Sequence, residues 1–182
     1  MDISIDIFMP MSTSLRHNKV TRKLGSRLVE WEERNEGLVL QEECSLVHFG
    51  GEKRPCELKL INLSEIKDIN YFMSDVIEDL EKVQPDLAFF NKNKYLVNKR
   101  ETKVAGCPDL IIEVWSDGNT QAHKDYKKYL YSTSVSTEHW YIEQDDNKVE
   151  CYLGSFRLAD QSLTEILRTQ NGIEFDLRYL AV

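Results

Sequence analysis

The chain has 182 residues, 41% of them hydrophobic and 30% charged, with a formal net charge of −8. That is the composition of one globular domain able to bury roughly 70% of its unfolded surface. The charge argues against a protein that coats DNA or an anionic membrane without specificity, because phosphate binding rests on Lys and Arg displacing counterions. A nuclease stays admissible, since a cleft can be locally basic and metal-binding carboxylates themselves add to the negative total.

Taken in chain order, Met1 to Pro10 alternates Ile3, Ile5 and Ile7 with Asp2, Ser4 and Asp6, the period of a strand and not the basic start and apolar run of a signal peptide. No window approaches the ~20 apolar residues of a membrane span, and a cytoplasmic location is expected. Ser14 is placed to cap a helix from about Leu15 to Arg34, with Val20, Leu24, Leu28 and Trp31 on one stripe. Asn35-Glu36-Gly37 stops it, and Leu38 to Phe49 reads as a strand turning at Gly50-Gly51 into a second, Cys56 to Ile61. Ile66 to Lys82 reads as a lid, a short helix or an irregular connection. Leu87 to Phe90 is a short strand and Asn91 to Lys94 a polar turn. Leu110 to Trp115, apolar on both faces apart from Glu113, is a central strand. A helix over Thr120 to Thr133 follows, with Ser116-Asp117 as its cap and Ala122, Tyr126, Tyr129 and Leu130 as its inward stripe. Glu138 to Glu143, Lys148 to Leu153 and Phe156 to Ala159 complete a meander. With no internal repeat and no Pro/Gly/Ser linker, residues 1–182 are read as a single domain.

The four cysteines (Cys44, Cys56, Cys107, Cys151) form no CxxC pair, and the four histidines (His17, His48, His123, His139) show no HxxxH or HxH spacing. Zinc ribbons, thioredoxin-like sites and zinc hydrolases lose ground accordingly. The carboxylates are more telling. Glu113 lies among Ile111, Ile112, Val114 and Trp115, where an ionised group is costly unless a cation or strong hydrogen bonds compensate it. Asp109 shares its face of the strand but stands four residues, about 13 Å, away, too far for both to hold one ion at ligand distances of about 2.1 Å. Asp86, opening the other Pro-Asp strand, is the natural partner, because neighbouring strands lie ~4.8 Å apart. Lys127, on the flank of the helix stripe, is the best-placed ammonium, with Lys124 and Lys128 turned farther toward solvent. Taken singly, Asp86 and Asp109 read equally well as strand starts after proline, Lys127 as a solvated helix residue, and His17 as a surface or capping residue. The tyrosines Tyr126, Tyr129 and Tyr131 read as core or dimer-interface residues.

These residues together resemble the Uma-two family of restriction endonucleases in the PD-(D/E)XK nuclease superfamily. The resemblance is strongest from Val83 to Leu153. It rests on Gln84-Pro85-Asp86, the run Pro108 to Ser116, the Lys127 to Tyr131 pair and Glu138-His139-Trp140, with His17 and its helix similar to the family's N-terminal segment. It implies an α/β (α+β) fold, a restriction-endonuclease-like mixed β-sheet flanked by helices. Asp86 and Glu113 would be metal ligands, Asp109 would assist catalysis from the site's edge or as a further ligand, and Lys127 would stabilise charge in place of the superfamily's strand lysine, whose position Trp115 takes. The implied cofactor is Mg²⁺, with Mn²⁺ as a substitute. The implied substrate is DNA and the implied assembly a homodimer. The chain departs from the family pattern at His123, where an aspartate is common, and at Asp117-Gly118-Asn119, where a basic residue often follows the strand. Lys124 and Lys128 therefore stay open as alternatives to Lys127.

Overall fold

The computed structural model describes residues 15–35, 37–41, 45–48, 82–91, 95–97, 103–106, 108–133, 136–143 and 146–178. The expected N-terminal strand, the Ser14 cap, the Gly50-Gly51 turn, the Cys56 to Ile61 strand and nearly all of the Ile66 to Lys82 connection lie outside these residues. Helix α1 (Leu15–Asn35) runs where its stripe places it. Val20, Leu24 and Leu28 are fully buried, and Trp31 packs against the same cluster.

The central sheet contains β1 (Leu38–Gln41), β4 (Leu87–Phe90), β7 (Leu110–Trp115), β8 (Glu138–Glu143), β9 (Lys148–Leu153) and β10 (Phe156–Arg157), in the order β1-β4-β7-β8-β9-β10, with β11 (Gln161–Ser162) also pairing β9. It is mixed: β4 and β7 are antiparallel, β7 and β8 parallel, and β8 and β9 antiparallel. The parallel pair is joined by α2 (Gln121–Ser132), the crossover that parallel neighbours require. A second sheet has the order β3-β2-β6-β5, from β2 (Ser45–His48), β3 (Lys82–Val83), β5 (Tyr95–Val97) and β6 (Lys103–Gly106), and β12 (Ile166–Arg168) pairs β13 (Glu174–Asp176). The chain between β4 and β7 is thus occupied by the antiparallel β5–β6 pair.

One expected strand, Leu38 to Phe49, divides instead. Its first part pairs β4 in the central sheet, and its last part joins the second sheet beside β3 and β6. Alternating apolar residues specify a half-buried strand but not which sheet claims each half. At Gly37 the fold leaves no room for a side chain, since an added Cβ would lie 2.5 Å from the Phe90 carbonyl oxygen.

β7 is buried along its whole length because both of its faces are covered. Leu110, Ile112 and Val114 pack with Val20, Leu24 and Leu28 of α1, while Ile111 and Trp115 pack with Leu130 and Tyr131 of α2 and Tyr141 of β8. The period of two along one strand therefore serves two cores, with α1 on one side and α2 on the other. Glu113, in phase with Ile111 and Trp115, faces α2.

Candidate functional site

The antiparallel register that pairs Leu87 with Ile112 brings Asp86, one step before it, alongside Glu113. The two carboxylates of adjacent strands are therefore neighbours, and Asp86 raises the cost of charge on Glu113. Glu113 is 1% exposed. Its pKa is pushed up from 4.5 to about 7, first by burial, against the pull of the Lys127 ammonium and with the added push of Asp86.

Two side chains one helical turn apart on α2 grip Glu113. The Lys127 ammonium donates to Oε2 at 2.8 Å and the Tyr131 hydroxyl to Oε1 at 2.6 Å. An i, i+4 pair presents both donors on one helix face. Lys127 also donates to the carbonyl oxygen of Gln84 at 2.9 Å, tying the helix to the approach of β4. Burial holds the Tyr131 phenol well above its ordinary value of 10.0, so it donates at any physiological pH.

Asp86 is anchored through one oxygen. Its Oδ2 accepts from the Val114 backbone N–H at 2.6 Å and lies 3.3 Å from His17 Nε2. Its Oδ1 accepts from none of the described residues, and the side chain keeps 19% of its exposure.

Asp109 is elsewhere. It sits at the opposite end of β7, where Oδ2 accepts from the Asn91 N–H at 2.7 Å while its own backbone N–H and C=O bond to Phe89 and Glu138. There it fastens β7 to the end of β4 and the start of β8. The motif residues of β8 are likewise inward braces: Glu138 accepts from the Trp140 indole and the Gln170 N–H, both at 2.7 Å. His139 lies between the Tyr141 hydroxyl at 2.8 Å and the Gly154 carbonyl at 2.7 Å, its pKa lowered by burial to about 4.

Helix α2 is rotated relative to the expected stripe. Tyr126 is 46% and Tyr129 64% exposed, and Ala122 is exposed too; of the four stripe residues Leu130 alone is buried. The lysines face the sheet instead: Lys127 on Glu113, Lys124 on Glu143 of β8 at 3.0 Å, and Lys128 on Glu150 of β9 at 2.7 Å. The sheet face under α2 carries one carboxylate on each of three successive strands, each met by a lysine, while Leu130 and Tyr131 are the residues of α2 that enter the core. Of the three lysines, Lys127 alone meets Glu113. Trp115 lies flat on Tyr141, with ring centroids 5.4 Å apart, and beneath the ammonium groups of Lys124 and Lys127 at 5.7 and 6.0 Å. The cap of α2 is Thr120, whose hydroxyl accepts from the His123 N–H, and not Ser116-Asp117; Ser116 is held by the Asn119 side chain.

Three residues have a place at this site that the sequence reading does not give them. Tyr131 reads from sequence as core or interface, although its spacing of four from Lys127 is a usable signal. His17 reads as a surface or capping residue, although it stands one turn before Val20 on the apolar stripe. His123 lies within electrostatic reach of Lys127 and Asp86, its pKa lowered by burial first and Lys127 second.

A divalent cation fits this donor set. Among the described residues no group of three or more His, Cys, Asp or Glu side chains converges on one point, and Mg²⁺ needs no such group, since it is held by one or two carboxylates with water and substrate oxygens completing the shell. The mutual repulsion of Asp86 and Glu113 is the feature a cation between them would relieve.

No curated protein matches the chain significantly. In structure it is similar to a putative nuclease from Anabaena variabilis of the DUF820 family, with a TM-score of 0.61 over 97% of this chain and 87% of that one at 12% identity, a likeness of fold. The model of the Uma2 family, described as putative restriction endonuclease, matches residues 63–178. That span covers more than half of the chain and includes Asp86, Glu113, Lys127 and Tyr131, and the chain belongs to the Uma2 family.

Proposed function

We propose that the chain is a divalent-cation-dependent endonuclease that hydrolyses DNA phosphodiester bonds, with Asp86 and Glu113 holding Mg²⁺ or Mn²⁺ and Lys127 as the cationic catalytic group. The observation that carries this reading is a buried glutamate on the central strand with Asp86 beside it and the Lys127 ammonium 2.8 Å from its carboxylate. Family membership supports the nuclease class.

When bound, the cation would polarise the phosphate and lower the pKa of an attacking water. The protein's own groups do the rest. An ammonium has three N–H donors. Lys127 directs one to Glu113 and one to the Gln84 carbonyl, which leaves the third for a non-bridging phosphate oxygen, where charge accumulates in the transition state. Tyr131 holds Glu113 in orientation, and burial of the pair strengthens each of these interactions relative to water. Asp109 belongs to the frame, keeping β7 in place rather than touching reacting atoms. The reading includes a homodimeric assembly in the cytoplasm, which sedimentation of the purified protein checks for its first part.

Plasmid nicking with Mg²⁺ or Mn²⁺ tests the proposal. Glu113→Ala is expected to lose cleavage by about 10²-fold or more, and equal cleavage by both proteins would remove the assigned role. The competing reading is a catalytically silent, dimeric binding or regulatory module. One observation favours it: Lys127 and Tyr131 already occupy both oxygens of Glu113. A stable dimer that shows neither calorimetric binding nor thermal stabilisation with millimolar Mn²⁺ would decide for that module.

A further inference from the structure

The apolar stripe of α1 ends in a histidine. His17 stands three residues before Val20, in phase with Leu24 and Leu28, and is 3% exposed. A buried imidazole on such a stripe needs a hydrogen-bond partner, and His17 finds Asp86, with Nε2 3.3 Å from Oδ2. With its hydrogen on Nε2 the ring donates to this carboxylate oxygen, which only accepts, while Nδ1 lies 3.5 Å from the Asn18 side-chain oxygen. The same oxygen accepts from the Val114 N–H at 2.6 Å, so two donors from different elements converge on Oδ2. Asp86 precedes β4, outside the strand pairing that fixes its neighbours. Its carboxylate therefore owes its orientation to these two bonds.

We propose that His17 is a positioning residue for Asp86: with the Val114 N–H it pins Oδ2, so that Oδ1, which accepts from none of the described residues, is presented to a divalent cation. This rests on the metal-site reading given above. α1, whose other buried residues serve the core, thereby joins a site built from β4, β7 and α2. Groups that hydrogen-bond a metal-binding carboxylate contribute to affinity by sparing it the cost of ordering at the moment of binding.

The test is Mn²⁺ binding to the full chain by isothermal titration calorimetry, for wild type, Asp86→Asn, His17→Phe and His17→Gln. Phenylalanine fills the same space without a donor, whereas glutamine carries an N–H close to the place of Nε2. His17→Phe is expected to weaken Mn²⁺ binding on the order of tenfold or more, with an unchanged melting temperature in the absence of metal. His17→Gln is expected to stay within about threefold of wild type, a rescue that mere packing would not produce. Should His17→Phe fail to fold, His17→Asn, polar but too short to reach Asp86, takes its place with the same expected loss. Binding by His17→Phe within about threefold of wild type, while Asp86→Asn loses binding, overturns the role of His17 and leaves the metal site standing. A wild-type chain that binds no Mn²⁺, or an Asp86→Asn variant that binds as wild type does, overturns the metal site and the role of His17 with it.

Discussion

At Glu113, burial pushes the carboxyl up to about 7 while the Lys127 ammonium opposes that rise. A folded-state pKa above the 4.5 of an exposed glutamate means that the group's contribution to stability is fully present below pH 4.5 and is lost as pH rises through about 7. The stability of wild type relative to Glu113→Gln is therefore expected to fall by roughly 2–3 kcal/mol between pH 5 and pH 8, because each tenfold difference in proton affinity between the folded and unfolded chain is worth ~1.4 kcal/mol. Urea denaturation of both proteins at the two pH values measures it. Cation-dependent cleavage should move the opposite way, rising with pH as Glu113 ionises, because only the carboxylate form holds a cation. Removing the Tyr131 hydroxyl leaves Oε1 of Glu113 buried without its 2.6 Å donor. Tyr131→Phe is expected to cost about 1–3 kcal/mol and to shift the rise in cleavage to higher pH, because the ionised form loses a hydrogen bond. A pH profile that stays in place would separate Tyr131 from the site.

Helix α2 shows what a helical wheel reads well and what it does not. Its extent is local: Thr120 and Thr133 bound it as caps, and neither Gly nor Pro interrupts the interior. Its rotation is not local. The wheel ranks Tyr126 and Tyr129 inward on hydrophobicity, yet the facing surface carries Glu113, Glu143 and Glu150, brought side by side from positions up to 37 residues apart in the chain. Three carboxylates on adjacent strands meet the lysines under the helix, Leu130 and Tyr131 fill the core beside them, and Tyr126 and Tyr129 are left outside. The three ion pairs are not equivalent in consequence. Lys124→Met and Lys128→Met, whose side chains keep 16% and 28% of their exposure, are expected to cost at most about 1 kcal/mol each and to leave plasmid nicking within a few-fold of wild type. Lys127→Met strands the buried Glu113 and removes the proposed phosphate donor, and nicking should fall by about 10²-fold or more. Parallel nicking assays and thermal melts of the three variants distinguish these outcomes.

Across the whole fold, the central sheet keeps two cores apart and sets buried Glu113 beside partly exposed Asp86 where β4 begins. Saturating Mn²⁺ at 100 times its dissociation constant would stabilise the fold by about 2.7 kcal/mol, which in a domain of this size raises the melting temperature by roughly 5–10 °C. Asp86→Asn combined with Glu113→Gln should abolish that rise in a thermal scan. Much of this architecture is legible in the residues themselves. The two-sided apolarity of Leu110 to Trp115 marks a central strand, the stripe of α1 marks its buried face, and the two Pro-Asp openings mark carboxylates on neighbouring strands. Those readings hold because strand alternation, helical periodicity and proline's constraint act over a few residues, within reach of local inspection. The division of Leu38 to Phe49 between two sheets, the placement of Asp109 as a strand-end brace, the turning of α2 and the meeting of His17 with Asp86 all depend on partners 18 to 69 residues away. Contacts at such separations are selected by how whole elements pack and which charges they bring face to face, and no period along the chain encodes them.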